Sequence, residues 1–128
     1  MNNKMILFLI LLTTFFQVLH CFEEIGMNAY VLYKSKYPKN PRGLYLRSAS
    51  VLVGLNFIVL FLWFFGIGFG YYLAFYTVLI SVVNSIIHII GYIKHKSYMG
   101  TLGAGVFSGI PLGISGFILL IALVQNLP

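Results

Sequence analysis

An all-α bundle of four transmembrane helices follows from three features of this chain. Hydrophobic residues make up 60% of its 128 residues and charged residues only 8%, where a soluble domain carries roughly 25% charged residues. The apolar residues gather into four runs, each within reach of the ~20 residues that cross a hydrocarbon core of ~30 Å. None of the runs alternates polar and apolar residues over the ~10 positions that a barrel strand needs. Helices also satisfy their own backbone donors and acceptors, as lipid demands. A soluble globular domain, a disordered chain and a nucleic-acid module are excluded despite the net charge of +6. So few charges cannot keep the large relative surface of so small a domain wet. The single Cys excludes an intramolecular disulfide.

The whole chain, 1–128, reads as one integral membrane domain with spans at 5–33, 49–65, 71–93 and 101–124. The first run has the Lys4 and apolar stretch of a secretory signal, but no A-x-A site follows it. A lipoprotein signal needs a small residue before its Cys, and here His20 precedes Cys21, so the segment is expected to remain as a span. A basic loop from Lys34 to Gly43, with Pro38 and Pro41, separates it from the second run, which is barely long enough to cross. Gly66-Ile-Gly-Phe-Gly70 is a tight uncharged turn before the third run. Lys94-His-Lys96 and Gly100 close that run. The fourth holds Pro111 among five glycines, so a kink and close helix contacts are expected.

Charge sets the orientation. Lys34, Lys36, Lys39, Arg42 and Arg47 follow the first run, and Lys94 and Lys96 follow the third, which places seven of the eight basic residues on one side. The positive-inside rule makes those loops cytoplasmic and puts both termini outside, in the cell membrane. The lipid bilayer is the expected partner, and nucleic acid is not.

The only two acids, Glu23 and Glu24, lie within an apolar run. His20, Glu23 and Glu24 stand at i, i+3 and i+4, roughly within one helical turn. Asn84, His88 and His95 fall within about 40° of one another around the third helix. Each motif precedes its basic loop by a similar distance, so the two polar faces are expected to meet at overlapping depth in the cytoplasmic half. An ionised carboxylate at mid-membrane costs about 2.5–3.5 kcal/mol, and adjacent carboxylates repel. A proton, a His⁺ or a metal must compensate. Carboxylate and imidazole together suit zinc, or non-haem iron or manganese. The candidate metal ligands are therefore His20, Glu23, Glu24, His88 and His95. Glu23, Glu24 and Asn84 are the candidate catalytic groups, as a general base or an oxyanion donor. Buried His–Glu pairs can also simply join helices by hydrogen bonds worth about 0.6–2 kcal/mol.

His20-Cys-Phe-Glu-Glu24 resembles the signature of the HXXEE family of small membrane proteins. Asn84-Ser-Ile-Ile-His88 is similar to that family's second block, and Tyr98-Met-Gly-Thr-Leu102 falls where a further block lies. The resemblance covers nearly the whole chain in layout. It implies a membrane protein without a settled biochemical role, and it supports treating His20, Glu23, Glu24, Asn84 and His88 as a unit.

Three functions follow. The first is a membrane-embedded, metal-dependent hydrolase acting on a lipophilic substrate. The second is a proton or metal-ion transporter or channel subunit, which at this length needs an oligomer to enclose a path. The third is a non-catalytic interaction protein in which the polar cluster only positions helices.

Overall fold

The computed structural model describes residues 3–34 and 39–126. Lys36 and Pro38 of the basic loop lie outside the described residues. Among those described, the chain is all helical, with α1 (Asn3–Gly26), a short 3₁₀ helix (Ala29–Tyr33), α2 (Pro41–Phe64), α3 (Phe69–His95) and α4 (Val106–Gln125). Each of the four α-helices is long and apolar enough to cross a membrane.

The helix ends differ from the apolar runs where local chemistry overrides hydropathy. The first run is apolar as far as residue 33, yet α1 stops at Gly26, because Asn28 turns left-handed (φ 58°) and starts the 3₁₀ helix. Asn and Gly tolerate such breaks better than other residues. The second helix begins at Pro41 rather than near 49. Asn40 caps it by accepting the Gly43 N–H at 2.9 Å, and Pro41 occupies the first turn, where its missing N–H costs nothing. The result is a 24-residue helix in place of a marginal span. At the other end of the sequence, the segment 101–105 is a series of turns, and α4 starts only after Gly105, whose φ of 94° no other residue adopts easily. The helix then continues through Pro111.

Neighbouring helices close a ring. α4 packs between α1 and α3, and α2 packs on the opposite side against the same two. α1 and α3 therefore face each other diagonally across the centre. α4 approaches both closely because its inward face is glycine. A Cβ on Gly109 would lie 3.5 Å from His20, and one on Gly116 would lie 3.1 Å from Val82. α2 is held more lightly, with only Tyr45, Asn56 and Val59 buried.

The interior divides along its length. Ile6, Leu9, Ile10, Val59, Ala74, Val78, Leu119 and Leu123 form an apolar core at the end where α1 begins. Further along α1 the inward positions turn polar: Thr13, Thr14, Gln17, His20 and Glu24 are all buried. Thr77, Ser81, Ser85 and His88 match them from α3. Large apolar side chains such as Phe8, Phe15, Phe57 and Phe61 point outward. This reversal of the soluble pattern fits a protein whose solvent is lipid.

The turn at Gly105 lies directly over this polar interior, so it offers a sharp test. A Cβ there would stand 2.7 Å from His20 Cε1 and 2.9 Å from Glu24 Cγ, on a backbone already at φ 94°. Gly105→Ala is expected to cost about 1–3 kcal/mol of stability. Gly26→Ala, where a Cβ meets nothing within 4 Å, is expected to be neutral. Thermal unfolding of the two variants in detergent checks both.

Candidate metal centre

The cluster is assembled from the two diagonal helices. His20 and Glu24 are one turn apart on α1, and His88 reaches across from α3. His20 is fully buried, His88 and Glu24 nearly so. Glu24 Oε1 lies 3.0 Å from His88 Nε2, and Glu24 Oε2 lies 3.6 Å from His20 Nε2. The two imidazoles meet edge to face with centroids 4.8 Å apart. One ligand atom from each of His20, Glu24 and His88 can be chosen so that all lie within 4.8 Å of one another, close enough to share a metal ion.

Hydrogen bonds fix the ring states. His88 Nδ1 lies 2.7 Å from the Leu102 carbonyl. A carbonyl only accepts, so the proton is on Nδ1. In a neutral His88 the Nε2 lone pair then faces the carboxylate at 3.0 Å. Two acceptors cannot remain at that distance with nothing between them. A cation belongs there, whether a proton or a metal ion. Tyr45 Oη, from α2, donates to Glu24 Oε2 at 2.5 Å and holds the carboxylate from the other side. Asn84 donates through Nδ2 to His20 Nε2 at 2.9 Å. With that nitrogen accepting, the His20 proton is on Nδ1 and points to Ser108 Oγ at 3.2 Å.

Glu23 turns away from this group. Its Oε1 accepts the Phe107 N–H at 3.1 Å, and its Oε2 accepts the Ser108 N–H at 2.6 Å. The Ser108 hydroxyl and the Tyr98 phenol also donate to it. Phe107 and Ser108 are in the first turn of α4, and the N-cap Gly105 has no side chain to serve them. Glu23 is thus the N-cap of a helix more than 80 residues downstream, with its charge at the positive end of that helix. Tyr98 lies in the connection outside the helices. Burial and the Glu23 carboxylate raise its pKa, so it stays a protonated donor.

The same connection covers the cluster. Gly100 N–H donates to Met27 O at 2.7 Å, Leu102 O anchors His88, and Gly105 rests on His20 and Glu24. His95, placed with the ligands by helical spacing, is exposed at the end of α3 and outside the group. The structure therefore brings together His20, Glu24, Asn84 and His88, sends Glu23 to α4, and leaves His95 apart. Tyr45, Ser108 and Tyr98 complete the site; in the sequence the two tyrosines read as part of an aromatic belt at the span ends and Ser108 as nothing in particular.

A family described as "Protein of unknown function with HXXEE motif" matches residues 10–115. The chain belongs to the HXXEE family. The matched region contains both the HXXEE motif itself and the Asn84 to His88 block, as well as the connection to α4. No curated protein and no solved structure matches this HXXEE chain.

The two glutamates of the motif are expected to separate by experiment. Glu23→Ala removes the cap of α4 and is expected to cost about 1–2 kcal/mol. Glu23→Gln retains an acceptor oxygen and is expected to cost less. Glu23 touches none of His20, Glu24 and His88 directly and reaches His20 only through the Ser108 hydroxyl they share. Unfolding in detergent measures the first effect, and an unchanged near-ultraviolet spectrum in Glu23→Gln checks that the interior is intact.

Proposed function

We propose that this HXXEE protein is a membrane-embedded, metal-dependent enzyme of the hydrolase type, with His20, Glu24 and His88 holding a divalent ion. The observation that carries this reading is the convergence of His88 Nε2 on Glu24 Oε1 at 3.0 Å, with His20 Nε2 at 3.6 Å from the same carboxylate. Two histidines and one glutamate form a ligand set that catalytic zinc uses with a position left for water, and the same set suits non-haem iron or manganese. The supporting contacts also fit. Metal-binding imidazoles commonly donate their second nitrogen to a carbonyl, as His88 does to Leu102. Tyr45 orients the carboxylate in the same manner.

Bound there, such an ion would supply a Lewis acid for activating water toward an ester or amide. The protein's own groups would do the rest. Binding of the ion by His20 Nε2 would take that nitrogen from Asn84, whose amide lines a cavity beside Glu24 and would then be free to donate to a substrate carbonyl. The 97–105 connection covers the cluster on one side. Glu23, committed to α4, serves this reading by holding the cover in place.

A second reading, proton conduction, draws on the polar column that continues from the cluster. Ser81 Oγ donates to Gln17 Oε1 at 3.0 Å, and Thr77 and Thr13 extend the column toward the apolar core. Proton relays use such buried polar chains. That core closes the far end, which favours the enzyme.

Elemental analysis of detergent-purified protein tests the proposal. About one divalent ion per chain is expected, with Glu24→Gln and His88→Ala each lowering the content by more than about tenfold while the helices persist by circular dichroism. No metal in any of the three proteins, with proton flux in proteoliposomes, would move the assignment to the second reading.

The same reading carries an orientation, with both termini outside and the basic loops in the cytoplasm. Lys39→Cys, on a Cys21→Ser background, is expected to resist a membrane-impermeant maleimide in intact cells and to react after permeabilisation. Labelling of intact cells would reverse the topology.

A further inference from the structure

Two cavities meet at the contact of α1 with α2. One, of about 140 Å³, is mixed: Gln17, Glu24, Tyr45, Ser48 and Asn84 line it together with apolar Leu52 and Ile80, and it reaches the cluster itself. The other, of about 170 Å³, is apolar and lies between Val18, Phe22, Ile25, Leu46 and Val53. Cys21 and Ala49 are walls of both. A hydrogen-bonding chamber therefore adjoins a hydrocarbon slot, with small side chains at the junction.

We propose that this pair of cavities binds a single-chain amphiphile with an uncharged amide or ester head, the head beside Glu24 and Asn84 and the chain between α1 and α2. Size favours a narrow ligand. The apolar slot is near the ~150 Å³ of an engineered cavity that holds one benzene, so its walls fit a stretch of one chain. The polar chamber has the volume of roughly five waters, which suits a small head such as an amide. Charge narrows the head further. With no ion bound, the walls carry a carboxylate at Glu24 and no cationic side chain, so a phosphate or a free carboxylate would be repelled. The amides of Gln17 and Asn84 and the hydroxyls of Ser48 and Tyr45 both donate and accept, as an amide or ester head requires. Entry from the bilayer runs along α2, the helix with the fewest buried residues. As a substrate class this rests on the metal-enzyme reading, but binding of the amphiphile does not require the metal.

The test is photo-crosslinking in nanodiscs, on protein stripped of metal with EDTA, using a long-chain fatty amide carrying a diazirine on its chain, beside the matching fatty acid. Adducts are expected on residues of α1 and α2 that line the slot, saturable by unlabelled fatty amide, and at least about tenfold weaker with the fatty acid. Ala49→Phe, at the junction, and Leu46→Trp, in the slot, are each expected to lower the saturable adduct by about tenfold with unchanged melting temperature and metal content. Two variants guard against one failing to fold. Adducts spread over every lipid-facing helix, equal labelling by the fatty acid, or no effect of either folded variant would overturn the proposal. Saturable labelling of a protein that carries no metal as purified would keep this site and reject the metal centre. Bound metal without saturable labelling would do the reverse.

Discussion

The compensation of one buried carboxylate governs this structure. Glu24 lies in the interior of a bundle whose surroundings are hydrocarbon, where an isolated charge is among the costliest groups a protein can hold. Each of the other three helices, or the connection beside it, contributes to the answer. Tyr45 comes from α2, His88 from α3, and the turn at Gly105 seals the site from the α4 side. Removing one of these would leave a buried charge partly paired, which is worse than having no charge there at all. The fold and the site are for this reason one problem and not two.

Glycine makes the solution compact. Buried imidazoles are large and flat, and a helix with ordinary side chains could not come close enough to exclude water from them. Gly105 and Gly109 press the start of α4 onto the His20 ring. Ser85 then donates to the Gly109 carbonyl and ties α3 to α4 at the same level. In membranes, where helices gain little from burying apolar surface, such close contacts and hydrogen bonds are what hold a bundle together.

Much of this was legible in the sequence, and the rest was hidden for identifiable reasons. Four apolar runs give four helices because length and hydropathy leave no other choice in lipid. His20, Glu24, Asn84 and His88 converge because helical periodicity places each pair on one face and parallel helices bring the faces to similar depth. The adjacent glutamates were the harder case. At about 100° per residue, Glu23 and Glu24 cannot share a direction, yet nothing local says which turns inward. That was decided by the first turn of α4, whose uncapped amides lie far away in sequence. His95 continues the polar face of His88 but is the last residue of its helix, beyond the reach of the cluster. The end of α1 was obscured because residues 27–33 remain apolar while adopting a 3₁₀ turn, and hydropathy does not register a left-handed Asn28. Tyr45 was invisible because the partner of a buried carboxylate on another helix leaves no periodic mark.

The bond between Glu23 and the start of α4 joins the first helix made to the last. During synthesis, α1 enters the membrane long before Phe107 and Ser108 exist. Both glutamates must therefore wait at the end of α1 without their final partners, through the insertion of two more helices. The two carboxylates lie only about 3–5 Å from the last residue of α1 along the helix axis, where the path to water is short until their partners arrive. A sequence with its acids near the middle of its first helix would have no such refuge. Placing them in the last turn lets the chain carry two charges into a membrane first and bury them only when the fourth helix closes the ring.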